Sequence, residues 1–304
     1  MRRLFYKLKY AYLQFIFAIF IFPLLPSLHA AEIRILFSSS LNGNLDRCTC
    51  SIVPVPGLAG RGNFIENYRK KYPDVVLVDT GDLVTDTKDI KKADAIYRSL
   101  ELLKYDAVLP GDQDIDLAVN NLYLFSGKEL FLASNILFYK PVFNTYYFPF
   151  SKEKVLNKNG KRITVLGVVH KSAFQFVSSS LKKFLKILPI SKTVVEAAES
   201  DLLVVLSHGG FESDKEFAKS INRPLIMIGG HDQTKIQNGP GIKINKNVWY
   251  FQSGKDGSYL GEIILETLGK GKYDIKSQRL ILMSSDNNDD HEKIRAIINE
   301  LEKK

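Results

Sequence analysis

The sequence contains Leu-Leu-Val-Val-Leu-Ser-His-Gly-Gly over residues 202–210 and Leu-Ile-Met-Ile-Gly-Gly-His over residues 225–231, two apolar runs that each lead into a histidine and that best indicate the fold. Each run has the length and composition of a buried strand that is stopped by glycine. Two other short hydrophobic runs end in acid-bearing turns, Gly81-Asp82 and Gly111-Asp112. In a layered α/β protein, residues at the carboxyl ends of parallel strands converge at one edge. We therefore expect two imidazoles and two carboxylates to share one pocket.

The first half of the chain alternates between strand and helix patterns, which predicts a mostly parallel sheet. Short apolar runs predict strands over residues 33–38, 75–78, 106–109 and 129–134. Apolar residues at helical spacing predict helices over residues 58–71, 90–103 and 115–124.

The second half carries hairpin signals and a terminal helix. The pair Asn159-Gly160 between two apolar runs predicts a two-residue hairpin turn. Helices are predicted over residues 193–199 and 212–219, and antiparallel strands over residues 248–252, 259–268 and 273–282. A last helix is predicted with Asp289 or Asp290 as its N-cap and one apolar stripe of Ile294, Ile297, Ile298 and Leu301. The fold class is α/β, with two sheets face to face and helices outside.

The charge of the chain is unevenly distributed. The formal net charge is +9, but the first thirty residues hold four bases and no acids, which leaves 38 bases against 33 acids. This surplus suits a solvated surface with mild attraction to anions. No nucleic-acid motif accompanies the charge, so no nucleic-acid partner is expected.

The N-terminus has the pattern of a targeting segment. Basic residues precede an apolar stretch from Ala11 to Leu25, and cleavage is predicted after Ala30. The expected organisation is a signal peptide over residues 1–30, one domain over residues 31–283 and a C-terminal helix over residues 284–304. The alternative is an uncleaved segment that anchors the chain to the membrane. Export is expected in either case.

Cys48 and Cys50 are the only two cysteines. In an oxidising compartment they could pair with each other or with a second chain. A bridge across one intervening residue is short and strained, and strained bridges tend to be reducible. Redox chemistry, metal ligation and a passive disulfide remain the alternatives for this pair.

Together these segments, over about residues 33–282, resemble the calcineurin-like metallophosphoesterases, specifically the N-terminal domain of periplasmic 5′-nucleotidases and UDP-sugar hydrolases. The resemblance implies a four-layer α-β-β-α sandwich of the metallo-dependent phosphatase type, with two mixed sheets and helices outside. The family binds two metals, which the aspartate of its second motif bridges. The Cys-x-Cys loop resembles that of a degenerate, exported bacterial nucleotidase-like subgroup that carries Cys-Gly-Cys there. These resemblances imply that the exported chain is in a bacterial periplasm.

The family motifs match this chain only in part. The residues that match ligands of one metal, and can still ligate, are Asp82, Asp112, His208 and His231, with Asp112 where the family has asparagine. Neutral side chains replace the other metal ligands and the catalytic histidine, and the degenerate positions are Ser40, Asn42, Gln113 and Gln233.

The resemblance therefore implies one divalent metal ion, with Zn²⁺, Mn²⁺ and Fe²⁺ all chemically compatible. The alternative is a decayed site whose residues only hydrogen-bond the loops. Asp114 is a weak candidate for a general acid in place of Gln113. His170 and His291 lie outside the motifs and are expected to be ordinary surface or loop histidines.

The sequence is consistent with three functions. The first is slow, single-metal hydrolysis of a small phosphorylated ligand. The second is a non-hydrolytic redox or thiol module that uses Cys48 and Cys50. The third is a ligand-binding module that keeps the scaffold without the chemistry. Membrane contact is expected only through an uncleaved N-terminal segment.

Overall fold

A computed structural model describes residues 30–47, 55–85, 89–125, 129–175, 177, 179–189, 195, 199–233, 236, 239, 241–283 and 290–303. Residues Ala31–Lys304 form one compact unit, and every described helix and strand belongs to it. Within the described residues, no helix is long and apolar enough to span a membrane. Four sequence predictions concern residues outside this part, namely the signal peptide, the Cys48 and Cys50 pair, most of the helix over residues 193–199, and Asp289.

Fourteen strands are described. They are β1 (Ala31–Ser38), β2 (Val76–Asp79), β3 (Ala107–Val108), β4 (Ile136–Lys140), β5 (Thr145–Tyr147), β6 (Glu153–Lys158), β7 (Lys161–Val169), β8 (Leu185–Ile187), β9 (Leu202–His208), β10 (Leu225–Gly229), β11 (Gly241–Lys243), β12 (Val248–Phe251), β13 (Tyr259–Gly269) and β14 (Lys272–Leu282).

Six α-helices connect or flank these strands, together with three short 3₁₀ segments. The helices are α1 (Gly57–Lys71), α2 (Ile90–Leu102), α3 (Asp112–Ala118), α4 (Ser179–Lys182), α5 (Phe211–Lys219) and α6 (Glu292–Glu302), and the 3₁₀ segments are Leu122–Leu124, Pro141–Phe143 and Lys171–Phe174.

Two mixed sheets form the centre of the unit, as predicted. The first has the order β14-β13-β1-β2-β3, in which β1, β2 and β3 are parallel and β13 and β14 form an antiparallel hairpin at the edge. The second has the order β11-β12-β10-β9-β7-β6, in which β7, β9, β10 and β12 are parallel. The sequence predicted an antiparallel strand over residues 248–252. This prediction was wrong for the pairing with β10, which is parallel, and is confirmed only for the pairing with β11.

The two sheets pack face to face through large apolar side chains. Phe37 of β1 and Phe251 of β12 meet edge-on with ring centroids 6.2 Å apart, and both rings are fully buried. Burial of such surface is the main stabilising term in folding. On the outside, α6 packs against α1 and α2, with Ile294 and Ile298 buried.

Three local predictions need correction. The predicted strand over residues 129–134 forms only single bridges at Phe131 and Leu132. The predicted helix over residues 115–124 is instead α3 followed by the 3₁₀ turn Leu122–Leu124. The N-cap of α6 is His291, because its backbone is extended there, while Asp290 accepts a hydrogen bond from Arg295.

Two other features complete the fold. The predicted hairpin joins β6 to β7, and both Asn159 and Gly160 have positive φ, as a type I′ turn requires. A third sheet of order β5-β4-β8 was not predicted. It is attached to the core by aromatic packing, with the Phe138 and Phe150 rings 5.9 Å apart.

Candidate metal centre

The four predicted ligands lie where the central strands end. Asp82 follows β2 and Asp112 begins α3 just after β3, while His208 is the last residue of β9 and His231 follows β10. The strands β2 and β3 belong to one sheet, and β9 and β10 belong to the other. The four side chains therefore meet where the carboxyl ends of the parallel strands of one sheet lie beside those of the other.

One ligand atom from each of the four residues lies within 4.8 Å of the others. His208 Nε2 is 3.0 Å from Asp112 Oδ1 and 3.3 Å from Asp82 Oδ1. His231 Nδ1 is 3.2 Å from the same Asp112 oxygen. The sequence expectation that these side chains share one pocket is confirmed by this geometry.

A backbone carbonyl fixes the tautomer of His208. Its Nδ1–H donates to the Thr80 carbonyl oxygen at 2.7 Å, and the ring is fully buried. In the neutral ring, Nε2 then carries a lone pair directed at two carboxylates. Lone pair and carboxylate oxygen repel each other unless a proton or a cation lies between them, so this arrangement favours positive charge at that point.

The pKa shifts of His208 and Asp112 both favour the charged form of the side chain. Burial acts to lower the pKa of His208, but the Asp82 and Asp112 carboxylates outweigh it and hold the pKa well above its ordinary value. Burial likewise acts to raise the pKa of Asp112, yet hydrogen bonds and charge from His208 and His231 hold it below its usual range. Both shifts arise because opposite charges are close together inside the pocket.

Two further observations indicate that the pocket suits a divalent metal. Asp82 Oδ1 is buried and has no hydrogen-bond partner, which is costly for a carboxylate unless a cation satisfies it. With metal–nitrogen and metal–oxygen bonds of about 2.0–2.2 Å, tetrahedral ligands lie about 3.4 Å apart. Three of the six separations between ligand atoms, 3.0 to 3.3 Å, are close to that value, and all six are within 4.8 Å.

Two of the four residues adopt an uncommon backbone conformation. The φ angles of Asp82 and His231 are 56° and 82°, in the left-handed region that non-glycine residues seldom occupy. Such conformations persist where the surrounding structure enforces them, and they cluster at functional sites. The surrounding structure therefore holds both turns in an unfavourable backbone conformation, and this conformation orients the Asp82 and His231 side chains.

The degenerate positions lie next to this pocket. The amides of Ser40 and Asn42 donate to the carbonyl oxygens of Gly81 and Asp82, each at 2.8 Å, so the first motif lies alongside the second. Ser40 Oγ is buried with no hydrogen-bond partner, and Asn42 Nδ2 donates to Asp256 Oδ1 at 2.8 Å.

The other two degenerate positions, Gln113 and Gln233, are half-buried. Gln113 is the second residue of α3, and Gln233 follows His231 by two residues. All four side chains are neutral hydroxyls or amides, which are poor substitutes for carboxylate and imidazole as metal ligands.

Asp114 is surrounded by backbone amides in the protein interior. It is fully buried and accepts the amides of Gly111 at 2.9 Å and of Leu83 and Val84 at 3.3 Å each. Burial, reinforced by the Asp82 charge, raises the pKa of Asp114 to about 7. Because its oxygens are engaged by backbone amides, this position does not support the hypothesis that Asp114 serves as a general acid.

A second polar layer behind the pocket was missed by the sequence analysis. His170 Nε2 is 3.3 Å from Asp214 Oδ1, and Asp214 also accepts the Ser207 hydroxyl at 2.5 Å. Burial raises the pKa of Asp214 to about 7, while burial and the His208 charge lower the pKa of His170. His170 and His291 both lie in loops, which agrees with the expectation of surface or loop histidines, but His170 contacts Asp214 and His291 is buried as the N-cap of α6. No motif marks Asp214, which sits inside a helix.

The His231 loop is held by its neighbour Asp232. The Phe211 amide donates to Asp232 Oδ2 at 2.6 Å, and Gln252 Nε2 donates to Asp232 Oδ1 at 2.5 Å. These bonds tie the loop to the start of α5 and to the end of β12. Such outer contacts orient metal-site loops in proteins.

Comparison with known sequences identifies relatives of one kind. No family model matches the chain. The 5′-nucleotidase of Mus musculus is 25% identical over 234 residues, which cover 71% of this chain and 40% of that protein. The 5′-nucleotidase of Rattus norvegicus is 25% identical over 313 residues, which cover 91% of this chain and 54% of that protein. The chain thus spans about half the length of these relatives.

Solved structures show the same fold. The 5′-nucleotidase precursor from Thermus thermophilus superimposes with a TM-score of 0.71 at 15% identity, over 88% of this chain and 58% of that one. A calcineurin-like phosphoesterase from Bacillus subtilis superimposes with a TM-score of 0.67 at 16% identity, over 90% of this chain and 98% of that one. The chain has the calcineurin-like phosphoesterase fold, as predicted. Within that class, it resembles the 5′-nucleotidases.

Proposed function

We propose that this protein is an exported metallophosphoesterase-like hydrolase that binds one divalent metal and hydrolyses a small phosphorylated ligand slowly. The observation that carries the proposal is the convergence of Asp82, Asp112, His208 and His231 around an unsatisfied buried carboxylate oxygen. The 5′-nucleotidase relatives support a nucleotide-like ligand. The basic and apolar N-terminal sequence supports export, with membrane anchoring as the alternative.

The residues fit a single cation by charge as well as by distance. A bound Zn²⁺, Mn²⁺ or Fe²⁺ ion would supply Lewis acidity toward a phosphoryl oxygen and a water of lowered pKa. Asp82 and Asp112 together neutralise the two charges of such an ion, which suits a site without a neighbouring metal. The Thr80 carbonyl keeps His208 in the tautomer whose Nε2 can ligate.

Slow turnover follows from the side chains that surround this pocket. Ser40, Asn42 and Gln233 offer no anionic or imidazole ligand for a second ion. Gln113 cannot donate a proton to a leaving group, and the loss of a general acid typically costs about 10²- to 10⁴-fold in rate. Asp114 does not compensate, because backbone amides engage its buried carboxylate.

A non-hydrolytic ligand-binding module is the second candidate. The specific observation in its favour is Gln113 in the position that resembles the family's catalytic histidine. A redox or thiol role would involve Cys48 and Cys50, which lie outside the described residues, and that hypothesis stays a prediction from sequence.

Metal content is the first test. Elemental analysis of anaerobically purified protein is expected to give one divalent ion per chain for the wild type and almost none for His208→Ala. The matched control is His170→Ala, which removes a nearby imidazole outside the cluster and is expected to keep the metal. Equal metal content in wild type and His208→Ala would refute the assignment.

Activity is the second test. Metal-loaded wild type is expected to hydrolyse nucleotides or nitrophenyl phosphate slowly, and Asp82→Ala is expected to abolish the turnover. Metal binding without any turnover would favour the ligand-binding module. Turnover that survives Asp82→Ala would show that the activity comes from another source.

A further inference from the structure

The small third sheet displays large apolar side chains to solvent. At the β4–β5 turn, Val142 and Phe143 are 85% and 65% exposed, and Tyr146 on β5 is 41% exposed. Val142 is the most exposed large apolar side chain in the part of the chain that the structure describes. Contiguous exposed apolar groups generally mark a surface that binds something.

The turn that carries these side chains is held in shape from within. Asn144 adopts the left-handed conformation with φ of 47°, and the Tyr139 hydroxyl donates to Asn144 Oδ1 at 2.7 Å. On the opposite side of β4, buried Phe138 packs against Phe150. The exposed tip is therefore a preformed feature attached to the core.

The segments that build the small sheet contain lysines but no acidic residues. Residues 134–152 and 179–189, which contain all three strands of the small sheet, hold five lysines and no aspartate or glutamate. Lys140 Nζ lies 4.7 Å from the Phe143 ring centroid, and Lys186 Nζ lies 5.5 Å from that of Tyr146. The aromatic groups and the positive charges thus form one surface.

We infer that this surface, defined by Lys140, Val142, Phe143, Tyr146 and Lys186 and here called the basic tip, binds anionic lipid membranes. Apolar side chains at the end of a turn can enter the boundary of the acyl chains, while lysine and tyrosine keep their polar ends among the headgroups. Lysines near a membrane surface are attracted by anionic lipids. This contact is independent of the proposed hydrolysis and of the N-terminal segment. It departs from the prediction made from the sequence, in which only an uncleaved N-terminal segment contacts the membrane.

Other occupants suit the basic tip less well. A second copy of the chain would bring one set of lysines against another, which costs free energy. Single-stranded nucleic acid binds through rings on which bases stack, whereas the most exposed side chain here, Val142, is aliphatic.

Vesicle binding by the full-length chain tests the inference. Wild type is expected to float with vesicles of phosphatidylcholine and phosphatidylglycerol, and the Val142→Ser/Phe143→Ser variant is expected to bind them at least about tenfold more weakly. Lys140→Glu/Lys186→Glu is expected to lose the preference for phosphatidylglycerol. The matched control is Leu268→Ser/Leu282→Ser, which alters two side chains that are 49% and 51% exposed on other strands. It is expected to bind like wild type.

A local measurement separates the basic tip from any binding by the N-terminal segment. The fluorescence of Phe143→Trp is expected to be quenched by brominated lipids more strongly than that of Leu268→Trp, with Trp249 as a common background. Equal quenching in the two variants would overturn the inference. The inference would also be overturned if Val142→Ser/Phe143→Ser lost only self-association or only oligonucleotide binding. In either case its vesicle binding would be the same as that of wild type.

Discussion

Gly111 lies so close to the Asp82 carboxylate that a Cβ atom on Gly111 would come within 2.4 Å of Asp82 Oδ1 and 2.7 Å of His208 Cε1. The φ of Gly111 is −76°, a value that any residue adopts. The glycine is therefore required by the volume of the pocket and not by the backbone. Even a methyl group at this position displaces a candidate ligand.

We predict that Gly111→Ala lowers metal content and activity severely while the protein remains folded. Elemental analysis and circular dichroism measure the two effects. The control is Gly160→Ala, where φ is +70° and no atom lies within 4 Å of the added Cβ. This hairpin variant is expected to lose about 1–2 kcal/mol of stability but to keep its metal. Wild-type metal affinity in Gly111→Ala would contradict the pocket described above.

The degenerate positions can be restored to ligands. We predict that Ser40→Asp/Asn42→His/Gln233→His raises the metal content from one ion per chain to two and increases phosphatase turnover. The first two positions lie beside Asp82 through backbone hydrogen bonds, so new ligands there would share its carboxylate. Elemental analysis and nitrophenyl phosphate hydrolysis check the result. If the metal content does not change, the neighbouring position is not a lost metal site.

The buried carboxyl group of Asp214 is expected to make stability depend on pH. Burial raises its pKa from the ordinary 3.8 to about 7. Between these values the folded state holds a proton that the unfolded state has lost, so the free energy of unfolding falls as pH rises. The neutral variant Asp214→Asn lacks this contribution.

Urea unfolding of metal-free protein between roughly pH 4 and pH 8 measures the effect. Wild type is expected to lose stability relative to Asp214→Asn as pH increases through this window. The control Asp274→Asn, at an exposed position on β14, is expected to follow the wild-type profile. Parallel profiles for wild type and Asp214→Asn would contradict the prediction.

The C-terminal helix is expected to be part of the folding unit. Ile294 is fully buried where α6 meets α1 and α2. We predict that Ile294→Ala lowers the free energy of unfolding by about 2–5 kcal/mol, because it leaves a cavity in packed structure. The exposed neighbouring variant Lys293→Ala is expected to change it by less than about 0.5 kcal/mol. Thermal and urea denaturation compare the two, and a small effect at Ile294 would show that α6 docks weakly.

Much of the central architecture could be predicted because its strands and helices have strong local patterns. The continuous apolar runs at β9 and β10 indicate strands that are buried on both faces, and the stripe at Ile294 and Ile298 indicates one inner helix face. The strand predicted over residues 129–134 was wrong, because two apolar residues there make only isolated bridges. The short strands of the third sheet carried no comparable pattern.

Three features could be predicted without coordinates, namely the two-sheet α/β class, the Asn159-Gly160 hairpin and the identity of the four convergent side chains. These follow from periodicity and from residues at strand ends, which depend on near neighbours in the chain. The folded structure was needed to establish the tautomer of His208, the backbone-amide contacts of Asp114 and the Asp214–His170 contact. Each depends on burial and on partners from distant segments, because charge and hydrogen-bond energies change when water is removed.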